Sequence, residues 1–113
     1  MIHVLSEKAS PEQIEDMLQE LGSYIKLAVD IRLGVLAGGG AMHADCESAL
    51  LEAGSQQENV WGASWLPVSE EILFRSQINT RQRNRSMTIQ EPEVRKRIES
   101  IVGRILGGRG EEP

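Results

Sequence analysis

Between Tyr24 and Ala37 the chain alternates Ile25, Leu27, Val29 and Ile31 with Lys26, Ala28 and Asp30. A two-residue period commits such a stretch to a half-buried β-strand, because successive side chains of a strand point to opposite faces. Arg32-Leu33-Gly34 then reads as a tight turn, and Val35-Leu36-Ala37 returns beside the first strand, so the sequence predicts a β-hairpin. The remaining segments are read as what extends this hairpin and what covers it.

Ile2 to Leu5 is a short apolar run of strand-like composition. Ser10-Pro11-Glu12-Gln13 reads as a helix start, with Ser as N-cap, Pro at the first helical position and Gln completing a capping box. Ile14, Met17, Leu18 and Leu21 follow at helical spacing, and Gly22 stops the helix. Asp45 to Ala53 is expected as a short helix with Asp45 as its N-cap, a strand over Ser48 to Leu51 being the alternative. Ser55 and Glu58 offer a second capping box that would start one helical turn. Val60 to Leu66 reads as a strand with Trp61, Ala63 and Trp65 on one face, and Gly62 disfavours a helix there. Glu71 to Asn79 alternates like an antiparallel strand with one wet side. Met87-Thr88-Ile89 is a candidate last strand, and Glu91-Pro92 opens a helix with the apolar stripe Val94, Ile98, Ile101, Val102, Ile105, ended by Gly107-Gly108.

The 113 residues suffice for one domain, expected over 1–108 with a flexible tail at 109–113. A hydrophobic share of 40% with 26% charged residues is that of a globular chain, not a disordered one. The single cysteine forbids an internal disulfide, and no apolar run has the length of a membrane span or the layout of a signal peptide. The expected compartment is therefore the cytoplasm. The net charge of -5 argues against a general nucleic-acid binder. The charge is uneven, however. Only Lys8, Lys26 and Arg32 precede residue 57, and all other cations, from Arg75 to Arg109, come later.

Three polar segments are candidates for function. In the first, Gly38, Gly39 and Gly40 are followed by His43, Asp45, Cys46 and Glu47. Adjacent glycines serve either a tight bend or a cradle of N–H groups for an anion. The P-loop and dinucleotide signatures are not present. His43 and Glu47 can share a helix face, but two ligands make no metal site. Cys46 beside His43 would need a base and an orienting group to act as a nucleophile. The alternative is architectural: a buried Cys46, a capping Asp45, Glu47 in the first turn and His43 bonded to backbone. The second segment is the loop Thr80 to Ser86, with Arg81, Arg83 and Arg85 on alternate residues. Guanidinium forks suit phosphate and carboxylate, and Arg75 and Asn79 adjoin on the strand's wet face, so these five residues form a candidate anion site. The competing reading is a solvated loop that pairs with the acidic first half. The third segment is the pair Trp61 and Trp65, which is either core or, if exposed, the best interface anchor in the chain.

The segments Val29 to Gly40, His43 to Glu47, Gly54 to Gly62, Ser76 to Arg81 and Asn84 to Ile89 in combination resemble a bacterial, largely cyanobacterial family known as domain of unknown function 5674. One departure falls at Thr80-Arg81-Gln82, where an Arg-Pro turn is expected after Ile78-Asn79. The resemblance brings no activity, cofactor, metal or catalytic residue with it.

Together these readings predict an α+β domain. A mostly antiparallel sheet of four to five strands packs against the N- and C-terminal amphipathic helices as a single layer pair, with the middle helix as a further candidate cover. The leading functional expectation is a binding or protein-interaction module without catalysis, cofactor or metal. A homo-oligomer would form through the Trp strand or the wet face. The alternative is an anion-binding domain or small enzyme using the glycine bend, His43 or Cys46, and the arginine loop. Nucleic-acid binding would rest on that loop and the last helix alone.

Overall fold

The computed structural model describes residues 1–108, so the expected tail at 109–113 lies outside the described residues. Five strands, β1 (His3–Leu5), β2 (Ile25–Asp30), β3 (Val35–Gly38), β4 (Val60–Leu66) and β5 (Glu71–Leu73), form one antiparallel sheet in the order β1-β3-β2-β4-β5. Three helices accompany it: α1 (Pro11–Leu18), α2 (His43–Glu52) and α3 (Pro92–Ile105). The fold is α+β, as the alternation and the caps predicted.

The expected hairpin forms, with Val29 opposite Leu36 and Asp30 opposite Val35. Gly34 takes φ +73, which a turn needs and other side chains resist. Asp30 Oδ1 accepts from the Arg32 and Leu33 N–H groups and closes the turn. The Ser10 capping box also forms, Gln13 N donating to Ser10 Oγ while Ser10 N donates to Gln13 Oε1.

Ile25, Leu27, Val29, Leu36, Trp61, Ala63 and Trp65 share one core with Ile14 and Met17 of α1 and Ile98, Ile101, Val102 and Ile105 of α3. The opposite face is covered too. Ala28, Ala37 and Val60 form a second, smaller core with Cys46 and Leu50 of α2 and with Ile78. The expected single layer pair therefore gives way to helices on both sides of the sheet. The physical reason lies in the even-numbered residues of β2: Ala28 and Asp30 are fully buried, and their face needs a cover as much as the odd-numbered face does.

Four local expectations are corrected. Helix α2 begins at His43 with Met42 at the N-cap, which makes no side-chain capping bond; Asp45 sits exposed in the first turn. Ser55 does not cap: a 3-10 turn runs from Gln57 to Asn59 behind Gln56. The strand expected to reach Asn79 stops at Leu73, and Gln77–Arg81 is a 3-10 turn capped by Ser76, whose Oγ accepts from Ile78 N. Met87 to Ile89 contributes only a bridge, Thr88 to Arg75.

The early end of β5 has a consequence for β4. Strand β5 covers only Ser64, Trp65 and Leu66 of its neighbour, so the β4 backbone beyond that point has no partner strand on this side. Side chains take the place of the missing strand. Asn79, fully buried, accepts from Gly62 N through Oδ1 (2.7 Å) and donates from Nδ2 to Gly62 O (3.1 Å) and Met87 O (2.9 Å). Two residues back along β4, the Val60 carbonyl accepts from Gln82 Nε2 (2.6 Å), which also donates to Gln57 O (2.8 Å). A carboxamide carries the same donor and acceptor pair as a peptide group, which lets it dock on a strand edge.

Candidate functional site

The glycine triplet is filled by protein. A Cβ on Gly38 would meet Leu27 Cδ2 at 2.8 Å and Met17 Sδ at 3.3 Å, and one on Gly39, at φ +107, would lie 2.1 Å from the Met1 carbonyl oxygen. All three glycines are buried. They let α1 and the N-terminus approach β3, and the candidate anion cradle is occupied by the chain itself.

The reactive pair beyond them is equally engaged. His43, on the first turn of α2, reaches the Ala63 carbonyl with Nε2 at 2.9 Å, so Nε2 carries the proton. Ser64 Oγ lies 3.4 Å from the same nitrogen, which therefore has no lone pair with which to activate that hydroxyl. Burial lowers the His43 pKa, against the raising effect of the Ala63 bond, and keeps the ring neutral. Cys46 is fully buried and gives its S–H to the Lys26 carbonyl at 3.5 Å. Burial raises its pKa, the opposite of what a nucleophilic thiol requires. Glu47, buried on α2, pairs with Arg81.

Of the candidate anion residues, Asn79 is the brace on β4 described above and Arg81 is committed to Glu47. Arg75 and Arg85 are exposed. Trp61 and Trp65, 5% and 1% exposed, are core side chains, so the candidate interface through them is corrected: β4 lies inside the sheet between β2 and β5, and its Trp face lies in the core shared with α1 and α3. On α3, Arg97 and Arg104 are tied to the backbone carbonyls of Ile31 and of Ser6 and Gly34, and Arg95 to that of Ile89.

One candidate, Arg83, does open onto a concavity. A cleft of about 440 Å³ is lined by Ile31 after β2, Glu58 and Asn59 of the first 3-10 turn, Trp61 of β4, Gln82 and Arg83, and Glu91 and Val94 at the start of α3. A second hollow, about 400 Å³, adjoins it and shares Glu58, Gln82 and Arg83, with Arg81 and Gln57 at its side. Gln82, fixed to Gln57 and Val60, holds the connection against the 3-10 turn and so sets the cleft's width. Asn84 holds the other end of the connection, donating to Thr88 O (3.0 Å) and accepting from Gln90 N (3.3 Å). Arg83 makes no ion pair among the described residues, and the buried indole N–H of Trp61 has no hydrogen-bond partner among them. An orphan donor of this kind costs about 1–3 kcal/mol unless something satisfies it.

Sequence reasoning found Arg83 and singled out Trp61, but for a different role. It missed Glu58, Gln82, Glu91 and Val94 as neighbours, since four separate segments meet here and no spacing within any of them announces it. Among the described residues, no group of His, Cys, Asp and Glu is placed to hold a metal ion, and no helix is long and apolar enough to cross a membrane.

At the far end of the molecule a third, apolar groove of about 490 Å³ lies among Tyr24, Leu66, Val68 and Leu73, with Ser23 and Ser69 at its rim. Val68 is wholly exposed and Leu73 is 44% exposed.

No curated protein and no solved structure matches the chain. One family does, described as a protein of unknown function (DUF5674), and its match runs from residue 3 to residue 105. That span takes in every strand and helix of the described residues and every residue that lines the cleft, so this chain belongs to the DUF5674 family.

Proposed function

We propose that this protein is a non-catalytic binding module whose site is the cleft between the arginine connection, the first 3-10 turn and the start of α3, and that its ligand is a small molecule bearing an anionic group. The observation that carries this reading is Arg83, uncommitted to any ion pair among the described residues, at the rim of a cleft that Trp61 also lines. A guanidinium is met by a carboxylate or phosphate oxygen. The cleft also has the size usual for small-molecule sites, ~300–1,000 Å³. Binding without turnover fits the engagement of His43, Cys46 and Glu47 in backbone bonds and an ion pair.

The reading is tested by the Trp61 indole ¹H–¹⁵N resonance during titration with a panel of small carboxylates, phosphates and amino acids. A shift of the Trp61 signal with a still Trp65 signal, weakened by Arg83→Gln, supports it. A panel that moves neither indole refutes it.

A second reading, association with a protein partner or a second copy, is favoured by the apolar groove around the exposed Val68 and Leu73. Its measure is the molar mass in solution: a dimer that Val68→Lys dissociates supports it, and a monomer at high concentration removes self-association.

A further inference from the structure

The cleft's charges are mixed, and this narrows the ligand beyond an anion. We infer that the cleft takes an amphoteric ligand, a free α-amino acid with an apolar side chain, in which the carboxylate meets Arg83 and the ammonium group meets Glu58 and Glu91. The inference rests on the binding-module reading above and specifies its ligand class.

A phosphate or simple carboxylate entering the cleft would find one guanidinium and two carboxylates among the lining side chains. All three charged residues are exposed at its rim, where each acts with similar, modest strength, so a bare anion gains from one and loses to two. A bare amine has the reverse balance but leaves the Arg83 guanidinium without an acceptor. A molecule carrying both charges within a few bonds collects the attraction of each sign. Arginine's planar fork matches a carboxylate with two parallel N–H donors. Gln82 and Asn59 add amide groups that both donate and accept. The apolar component has its own surface, the half-buried Ile31 and Val94 beside the Trp61 ring. Strongly basic or acidic side chains would disturb the charge match, and an aliphatic or aromatic one completes it.

The test uses the full chain, ¹⁵N-labelled, with four probes: leucine, 4-methylpentanoate, which lacks the ammonium group, isopentylamine, which lacks the carboxylate, and inorganic phosphate. Leucine is expected to shift the Trp61 indole signal, and each single-charge analogue to bind roughly fivefold to tenfold more weakly. Glu58→Gln with Glu91→Gln should weaken leucine and leave 4-methylpentanoate equal or tighter, whereas Arg83→Gln should weaken both. These residues are exposed, so the variants keep the fold. If 4-methylpentanoate or phosphate binds as tightly as leucine, the amphoteric ligand is overturned and the anion-binding reading stands. If isopentylamine binds best, or if no probe moves the Trp61 signal, both are overturned.

Discussion

Replacing Asn79 by alanine measures how much of this fold hangs on one side chain. Asn79 Oδ1 satisfies the Gly62 N–H at 2.7 Å, and Nδ2 serves the Gly62 and Met87 carbonyls at 3.1 and 2.9 Å, all in a fully buried position. In Asn79→Ala the Gly62 N–H is left buried on a strand edge that β5 does not reach, at a cost of about 1–3 kcal/mol, and each carbonyl bond lost adds about 0.5–1.5 kcal/mol. Carbonyl oxygens tolerate the loss better because they keep a second lone pair. The sum is about 2–6 kcal/mol, a large part of the ~5–15 kcal/mol that stabilises a typical domain. Urea unfolding followed by tryptophan emission reads it directly, since Trp61 and Trp65 both lie in the core. With a slope of about 1–3 kcal/mol/M, the midpoint should fall by about 2 M. Asn79→Asp should cost at least as much: it keeps the acceptor, removes both donors and buries a charge. The neighbouring exposed Gln77→Ala is the control and should stay within about 0.5 kcal/mol. A loss below about 1 kcal/mol in Asn79→Ala at unchanged slope would refute the idea that a carboxamide substitutes for a strand here.

Two further outcomes follow from the same geometry. In Gly62→Ala the new Cβ would lie 2.4 Å from both Cβ and Oγ of Ser76, atoms fixed by backbone, so the connection must shift; thermal melting should show a Tm lower by about 5–15 °C. For His43 the sign follows from its lowered folded pKa: above 6.5 both folded and unfolded rings are neutral and the full stability is present. As pH falls below 6.5 the unfolded chain takes up a proton that the buried ring resists. Stability should therefore drop from about pH 6.5 downward toward the folded pKa, by at most about 1.4 kcal/mol per pH unit, and His43→Gln should flatten that limb of a urea-midpoint profile. A variant with the same pH slope as the parent would show that His43 takes up its proton alike in the folded and unfolded chains.

What the amino-acid order settles alone in this protein is local. The period of two in Ile25 to Ile31, the Ser10-Pro11-Gln13 cap, Gly34 at its turn and the stripe of α3 each act over a few residues, and each element formed where those signals stand. The tertiary structure decided the rest. Periodicity says that one face of a helix is buried but not against which side of a sheet, so α2 on the second face was not legible. The alternation from Ile72 to Ile78 is a true strand pattern, yet the chain leaves the sheet at Phe74, because Asn79 can bond to the bare Gly62 edge and Ile78 can turn into the second core. Trp61 and Trp65 read as core or, if exposed, as an anchor until β4 is known to lie inside the sheet. The cleft is the clearest case. Its walls come from residues near 31, 58, 82 and 91, and only long-range packing sets such a meeting, whatever the spacing within each segment.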